Sequence, residues 1–140
     1  MASVFTRIIA GELPGTFVWR DPECVALLSI NPLHAGHTLV VPRAEVDHWI
    51  DLEPALAAHL FEVARTIGQA QQASLGAARV GLMIVGVEVP HTHLHVVPFD
   101  SASELSFALA DPDPPAGSID AAAAAIRVAL RELGAEHVSD

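Results

Sequence analysis

The run His91-Thr92-His93-Leu94-His95-Val96-Val97-Pro98 constrains this chain more than any other segment. Histidine alternates with apolar or β-branched residues, which is the period of a β-strand. A strand of this kind presents three imidazoles on one face, roughly 6.5–7 Å apart between next-nearest neighbours. It turns Thr92, Leu94 and Val96 the other way, so a sheet with an apolar layer behind it has to exist. Each imidazole can donate, accept, ligate a metal or carry a proton near neutral pH. The bland alternative is a solvated polar face on an edge strand.

The rest of the chain supplies such a sheet. Val4 to Ala10 reads as a short helix stopped by Gly11 and Pro14. Thr16 to Arg20 and Cys24 to Leu28 read as strands joined by Asp21-Pro22-Glu23, and His37 to Val41 as a strand ended by Pro42. Leu52 to Ala73 is the longest helical run, with Leu56, Leu60, Val63 and Ile67 on one stripe. Val80 to Val85 is an apolar strand, and Gly86 and Pro90 interrupt before the histidines. Residues 111–117 read as a stiff linker to a C-terminal helix from about Ile119 to Leu133, capped by Ser118 and ended by Gly134. The order of elements predicts an α+β fold: an antiparallel sheet with one long helix packed on it and a C-terminal helix, in one domain over residues 1–140.

Composition narrows the function. Hydrophobic residues make up 51% and charged residues 17%, as in a globular domain. The net charge is −10 and all seven basic residues are arginine, so long-range attraction to nucleic acid is disfavoured and no lysine nucleophile exists. Cys24 is the sole cysteine, which excludes a disulfide framework. No apolar run reaches the roughly 18 residues of a membrane span, so a cytoplasmic protein without membrane partners is expected.

A second cluster sharpens the site. Asn31-Pro32-Leu33-His34-Ala35-Gly36-His37 sets His37 at the head of a strand, able to converge on the triad. Four imidazoles suit phosphoryl or nucleotidyl transfer, in which a neutral histidine attacks phosphorus. They also suit a transition-metal site.

The segments Phe5 to Pro14, Pro32 to Pro42 and the His-x-His-x-His strand together resemble the histidine-triad (HIT) family of nucleotide hydrolases and transferases. The resemblance spans roughly Phe5 to Phe99. It implies a homodimer with a continuous larger sheet and a purine nucleotide or nucleotide conjugate as partner. It implies that His93 attacks the α-phosphate to form a nucleotidyl-histidine, which water then hydrolyses. His37, His95 and His91 would bind or support the phosphate. Phe5, Ile8, Leu27 and Ile30 would form the base pocket. The transferase branch carries glutamine at the third triad position; His95 points to the hydrolase branches.

Several positions depart from that pattern. Many relatives bind structural zinc through two cysteines, a downstream histidine and another near the triad; Ser3, Thr6 and Glu45 occupy three of those places, so structural zinc is expected to be absent and no cofactor required. Ser29 stands where an acidic residue commonly holds the ribose hydroxyls. Val87 and Glu88 replace an amide and a hydroxyl on the leaving-group side. A carboxylate there repels an anionic leaving group and can raise the pKa of a neighbouring histidine. His34 is a weaker pocket candidate. His48 and His59 read as surface residues, His137 as part of a polar tail, and Trp19 and Trp49 as core or interface anchors.

Overall fold

A computed structural model describes all 140 residues. Helix α1 (Val4–Ile9) leads into a hairpin of β1 (Phe17–Arg20) and β2 (Cys24–Leu28). Next come β3 (Thr38–Pro42), the long helix α2 (Pro54–Leu75), and β4 (Arg79–Met83) with β5 (Leu94–Phe99). Helix α3 (Ser118–Glu132) follows two single 3-10 turns, Ala102–Glu104 and Phe107–Leu109. The five strands form one sheet in the order β1-β2-β3-β5-β4, every neighbour antiparallel. This is the α+β architecture expected.

Both faces of the sheet are covered, which is why β2 and β3 are buried along their whole length. On one face α2 and α3 pack through Leu60, Val63, Ile67, Ile126 and Leu130 against Val18, Ala26, Val40, Leu94 and Val96. On the other, Phe5 of α1 joins Phe17, Val25, Leu27, Leu39 and Val41. This second, smaller layer carries the histidines. The Asp21 turn ties β1 and β2 to α2: its buried carboxylate accepts from the Trp19 indole at 2.7 Å and from the backbone N–H groups of Glu23 and Cys24, and bonds His59 Nε2 at 2.7 Å. Burial alone would raise the Asp21 pKa; these hydrogen bonds outweigh it and hold the carboxyl well below the usual range. His59 is therefore a partner of the core, not a free surface residue. Trp19 is buried as expected, whereas Trp49 is exposed.

Several boundaries differ from the sequence reading. Only Leu94 onward pairs as β5, because Pro90 precedes the histidines and Thr92 is diverted, its N–H and hydroxyl both donating to the Val46 carbonyl. Strand β4 stops at Met83, opposite His95, and Val85 to Val89 swing out of the sheet toward the histidines. Helix α2 begins at Pro54, a proline suited to the first helical position. Ser118 is the first residue of α3 and donates to the Pro115 carbonyl; Gly117, at φ +78°, holds the capping place. The linker is packed too: Asp111 receives a bond from Asn31 Nδ2 on its carbonyl and donates its N–H to Pro32.

Candidate active site

A cavity of about 540 Å³ lies on the α1 side of the sheet. Phe5, Ile8, Leu27, Ser29, Ile30, His37, Glu88, His93 and His95 all line it, so the sequence-selected residues meet in one place, with the exception of His91. Its wall holds no arginine, and Glu88, exposed at the mouth, is its one carboxylate. The 3-10 turn after β5 adds Phe107, whose ring meets that of His95 edge-on at 4.8 Å. Sequence reasoning missed Phe107. Its signal is faint, a single aromatic in a loop beyond the strand.

The hydrogen bonds fix the state of each imidazole. His91 Nε2 lies 2.7 Å from the Pro42 carbonyl, which can only accept, so Nε2 carries the proton. Its Nδ1 then accepts from the Ser3 hydroxyl at 2.6 Å. Both nitrogens are spent and the ring is wholly buried. His91 thus has no ring nitrogen free for a phosphate, which leaves it the supporting place that the resemblance implies. Its carbonyl receives His93 Nδ1–H at 2.8 Å. In neutral His93 the remaining nitrogen, Nε2, keeps its lone pair.

His37 and His95 form the complementary pair. The Leu33 N–H donates to His37 Nδ1 at 3.1 Å, so the proton of neutral His37 is on Nε2. That proton is given to His95 Nδ1, 3.0 Å away. The proton of neutral His95 is then on its own Nε2. His37 lines the wall, and both its ring nitrogens are engaged, one by the Leu33 N–H and one by His95. The His93 and His95 rings lie 4.9 Å apart, one with a bare Nε2 and the other with Nε2–H.

Burial keeps this group uncharged. It pushes His37 down to about 4, with His93 adding to the effect, and His95 down to about 3, with His37 and His93 adding. Burial also lowers His93; the bond to the His91 carbonyl and the Glu88 charge oppose it without reversing it. Glu88 therefore acts on His93 in the expected direction, upward, and loses to desolvation.

Around His91 the first turn of α1 forms a polar latch. Glu45 Oε1 accepts from the Ser3 N–H at 2.6 Å and from the Thr6 hydroxyl at 2.7 Å, while Ser3 Oγ caps α1 by accepting from the Thr6 N–H. Two neutral hydroxyls, a carboxylate and an imidazole, already bonded to one another, do not fit the thiolate and imidazole donor set of a structural zinc ion. The latch seats Phe5, whose ring lies 4.9 Å from His93 and 5.7 Å from His91. His34 faces a neighbouring cavity instead, 3.8 Å from Asp100.

The HIT domain profile matches residues 10–102. The chain belongs to the HIT family. It is 34% identical over 113 residues to the uncharacterized HIT-like protein Rv1262c of Mycobacterium tuberculosis, covering 77% of this chain and 78% of that one. A zinc-bound histidine triad family protein from Mycobacterium smegmatis superimposes with a TM-score of 0.81 at 31% identity, over 96% of each chain. The adenylylsulfatase HINT3 of Arabidopsis thaliana is 29% identical over 100 residues, 68% of this chain and 51% of that protein. The HIT fold is therefore shared nearly end to end. No helix is long and apolar enough to cross a membrane.

Proposed function

We propose that this HIT protein is a hydrolase that cleaves at the α-phosphate of a nucleotide conjugate through a nucleotidyl-histidine. The observation that carries the reading is the pair of opposite tautomers, a bare Nε2 on His93 beside Nε2–H on His95. The His93 lone pair forms a bond to phosphorus as the bond to the leaving group breaks. The leaving group departs with the electron pair and takes up a proton from solvent, which the attacking water of the second step gives back. His95 Nε2–H donates to a non-bridging oxygen. Water then attacks phosphorus, the P–N bond to His93 breaks, and the nucleoside monophosphate is released. His93 has to be neutral to attack, and burial supports that state near pH 7.

Purine and ribose fit the apolar half of the cavity, between Phe5, Ile8, Leu27 and Ile30. Ser29 Oγ accepts from the Asn31 N–H, which leaves its own proton for a ribose hydroxyl. A mouth with Glu88 and no arginine favours neutral or cationic leaving groups, such as the amine of a phosphoramidate, over pyrophosphate or a second nucleotide. No cofactor or structural zinc enters this reading. A homodimer completes it: Phe61 and Leu82 are exposed on a largely apolar groove of about 520 Å³ between α2 and the edge strand β4, where a second copy could extend the sheet. A cytoplasmic setting matches the sole, buried cysteine.

The test is turnover of adenosine phosphoramidate by wild type and His93→Ala. The variant should lose turnover by orders of magnitude, while wild type quenched during turnover should carry an added nucleotidyl mass on His93. Undiminished activity in His93→Ala would refute the assignment. A folded wild type that binds nucleotide without turning it over would favour the alternative, a binding module.

A further inference from the structure

The buried stripe of α2 carries one polar side chain, Gln71, with no exposed surface at all. Its Nε2 lies 2.9 Å from the Gly36 carbonyl, 2.9 Å from the Val96 carbonyl and 3.3 Å from Thr38 Oγ1. Both carbonyls can only accept, so the nitrogen and not the oxygen must face them. Oε1 is then left as the single buried side-chain polar atom without a partner. A helix position that should be apolar thus holds an amide, with one atom unsatisfied, for the sake of two carbonyls.

Those carbonyls stand where the sheet runs out. The β3–β5 pairing passes through Val40↔Leu94 and Leu39↔His95 and ends at Thr38↔Val96. Gly36 lies beyond the last rung. Gln71 joins Gly36 to Val96 and so adds a rung from the helix side. Gly36 and Thr38 flank His37 in the chain, and Val96 follows His95. The His37 and His95 rings project to the opposite face, where they meet at 3.0 Å. Gly36 lets the helix come close enough: its φ is +89°, and a Cβ there would fall 2.1 Å from Leu75 Cδ1.

We infer that Gln71 is a positioning residue: from the far face of the sheet it holds the head of β3 against β5, so that His37 stays bonded to His95 and keeps the His95 proton on Nε2. Its importance for turnover rests on the hydrolase reading. Its effect on the two imidazoles does not.

The variant Gln71→Met keeps the side-chain length and removes the donors. Long-range proton–nitrogen-15 spectra of the histidine rings report each tautomer directly. Wild type should show His37 and His95 protonated on Nε2 and His93 on Nδ1. In Gln71→Met, His37 and His95 should become tautomer mixtures while His91 and His93 stay as they were. With the phosphoramidate, kcat should fall about ten- to a hundredfold with KM within about twofold, the scale of a small misplacement of a reacting group. Unchanged His37 and His95 spectra in the folded variant would overturn the inference, as would a wild-type His95 protonated on Nδ1. If the methionine variant does not fold, Gln71→Asn, too short to reach both carbonyls, takes its place with the same outcomes. An inactive wild type with the stated tautomers would reject the hydrolase reading and leave Gln71 to be judged on the spectra.

Discussion

Ser3→Ala removes the hydroxyl on which the α1 latch turns. Ser3 Oγ caps α1 through the Thr6 N–H, and loss of such a cap costs about 1 kcal/mol. It also donates to His91 Nδ1 at 2.6 Å, in a ring with no exposed surface. Leaving that acceptor without a donor costs roughly 1–3 kcal/mol more. The sum, about 2–4 kcal/mol, is a large share of the roughly 5–15 kcal/mol that holds a domain folded. Urea unfolding followed by tryptophan fluorescence should show the lower midpoint with an unchanged slope. Thr6→Val is the control. It removes a hydroxyl that bonds the exposed Glu45 and lies 3.3 Å from Ser3 Oγ, leaves the Ser3–His91 bond in place, and should cost under about 1 kcal/mol. A chelator should leave wild-type stability unchanged, because hydrogen bonds among Ser3, Thr6, Glu45 and His91 close the latch. Ser3→Ala within about 0.5 kcal/mol of wild type, the ordinary spread of surface substitutions, would refute the reasoning. So would a chelator that lowers the wild-type midpoint. The functional consequence follows from Phe5, which rides on α1 beside His93: nucleotide affinity should weaken in Ser3→Ala and hold in Thr6→Val.

Acidification should destabilise the fold through His37 and His95. His37 and His95 fall from an ordinary 6.5 to about 4 and about 3, so between pH 6.5 and 4 the unfolded chain takes up protons that the folded chain refuses. Stability is complete above pH 6.5 and drains away as pH falls toward 4; equal unfolding midpoints at pH 7 and 4.5 would contradict this. Glu88→Gln should move the acidic limb of the rate profile to lower pH, since the Glu88 charge acts to raise His93. The same variant should gain activity on anionic leaving groups relative to amines; no change in either would place Glu88 outside the chemistry. Light scattering at micromolar concentration should give twice the chain mass for wild type and the single mass for Leu82→Arg, and a monomeric wild type would remove the dimer.

What the sequence made legible follows from how locally each feature is encoded. Alternation and apolar blocks set out five strands and three helices, because side-chain period depends on neighbours one to four residues away. The HIT pattern placed the residues around the cavity for the same reason. Ring states were not legible. The proton position on His93 depends on a carbonyl two residues back, that on His91 on Pro42 across the sheet, and that on His95 on a chain of donors starting at the Leu33 N–H. Alternation alone made His91, His93 and His95 equivalent, and the family resemblance alone made His37 a phosphate contact. Hydrogen bonding makes two of the four supports and leaves two with a ring nitrogen to offer. Gln71 did leave a trace, a polar residue four positions after Ile67 on an otherwise apolar stripe.

The site works as two supports that meet at one edge. On one side the α1 latch and Pro42 orient His91, and His91 offers its carbonyl to His93. On the other, Leu33 and the Gln71 rung orient His37, and His37 offers its proton to His95. Each support ends in a ring nitrogen of opposite character, and no charged side chain bonds any of the four rings directly. That is consistent with a cavity wall that has no arginine and imidazoles kept neutral by burial. An added cation near His93 would help bind an anionic leaving group. It would also depress the His93 basicity that Glu88 helps to hold up, so the same charge that widened substrate range would weaken the nucleophile. On the proposed hydrolase reading, Glu88 at the mouth favours the other choice, a more basic His93 and a leaving group that carries no negative charge of its own.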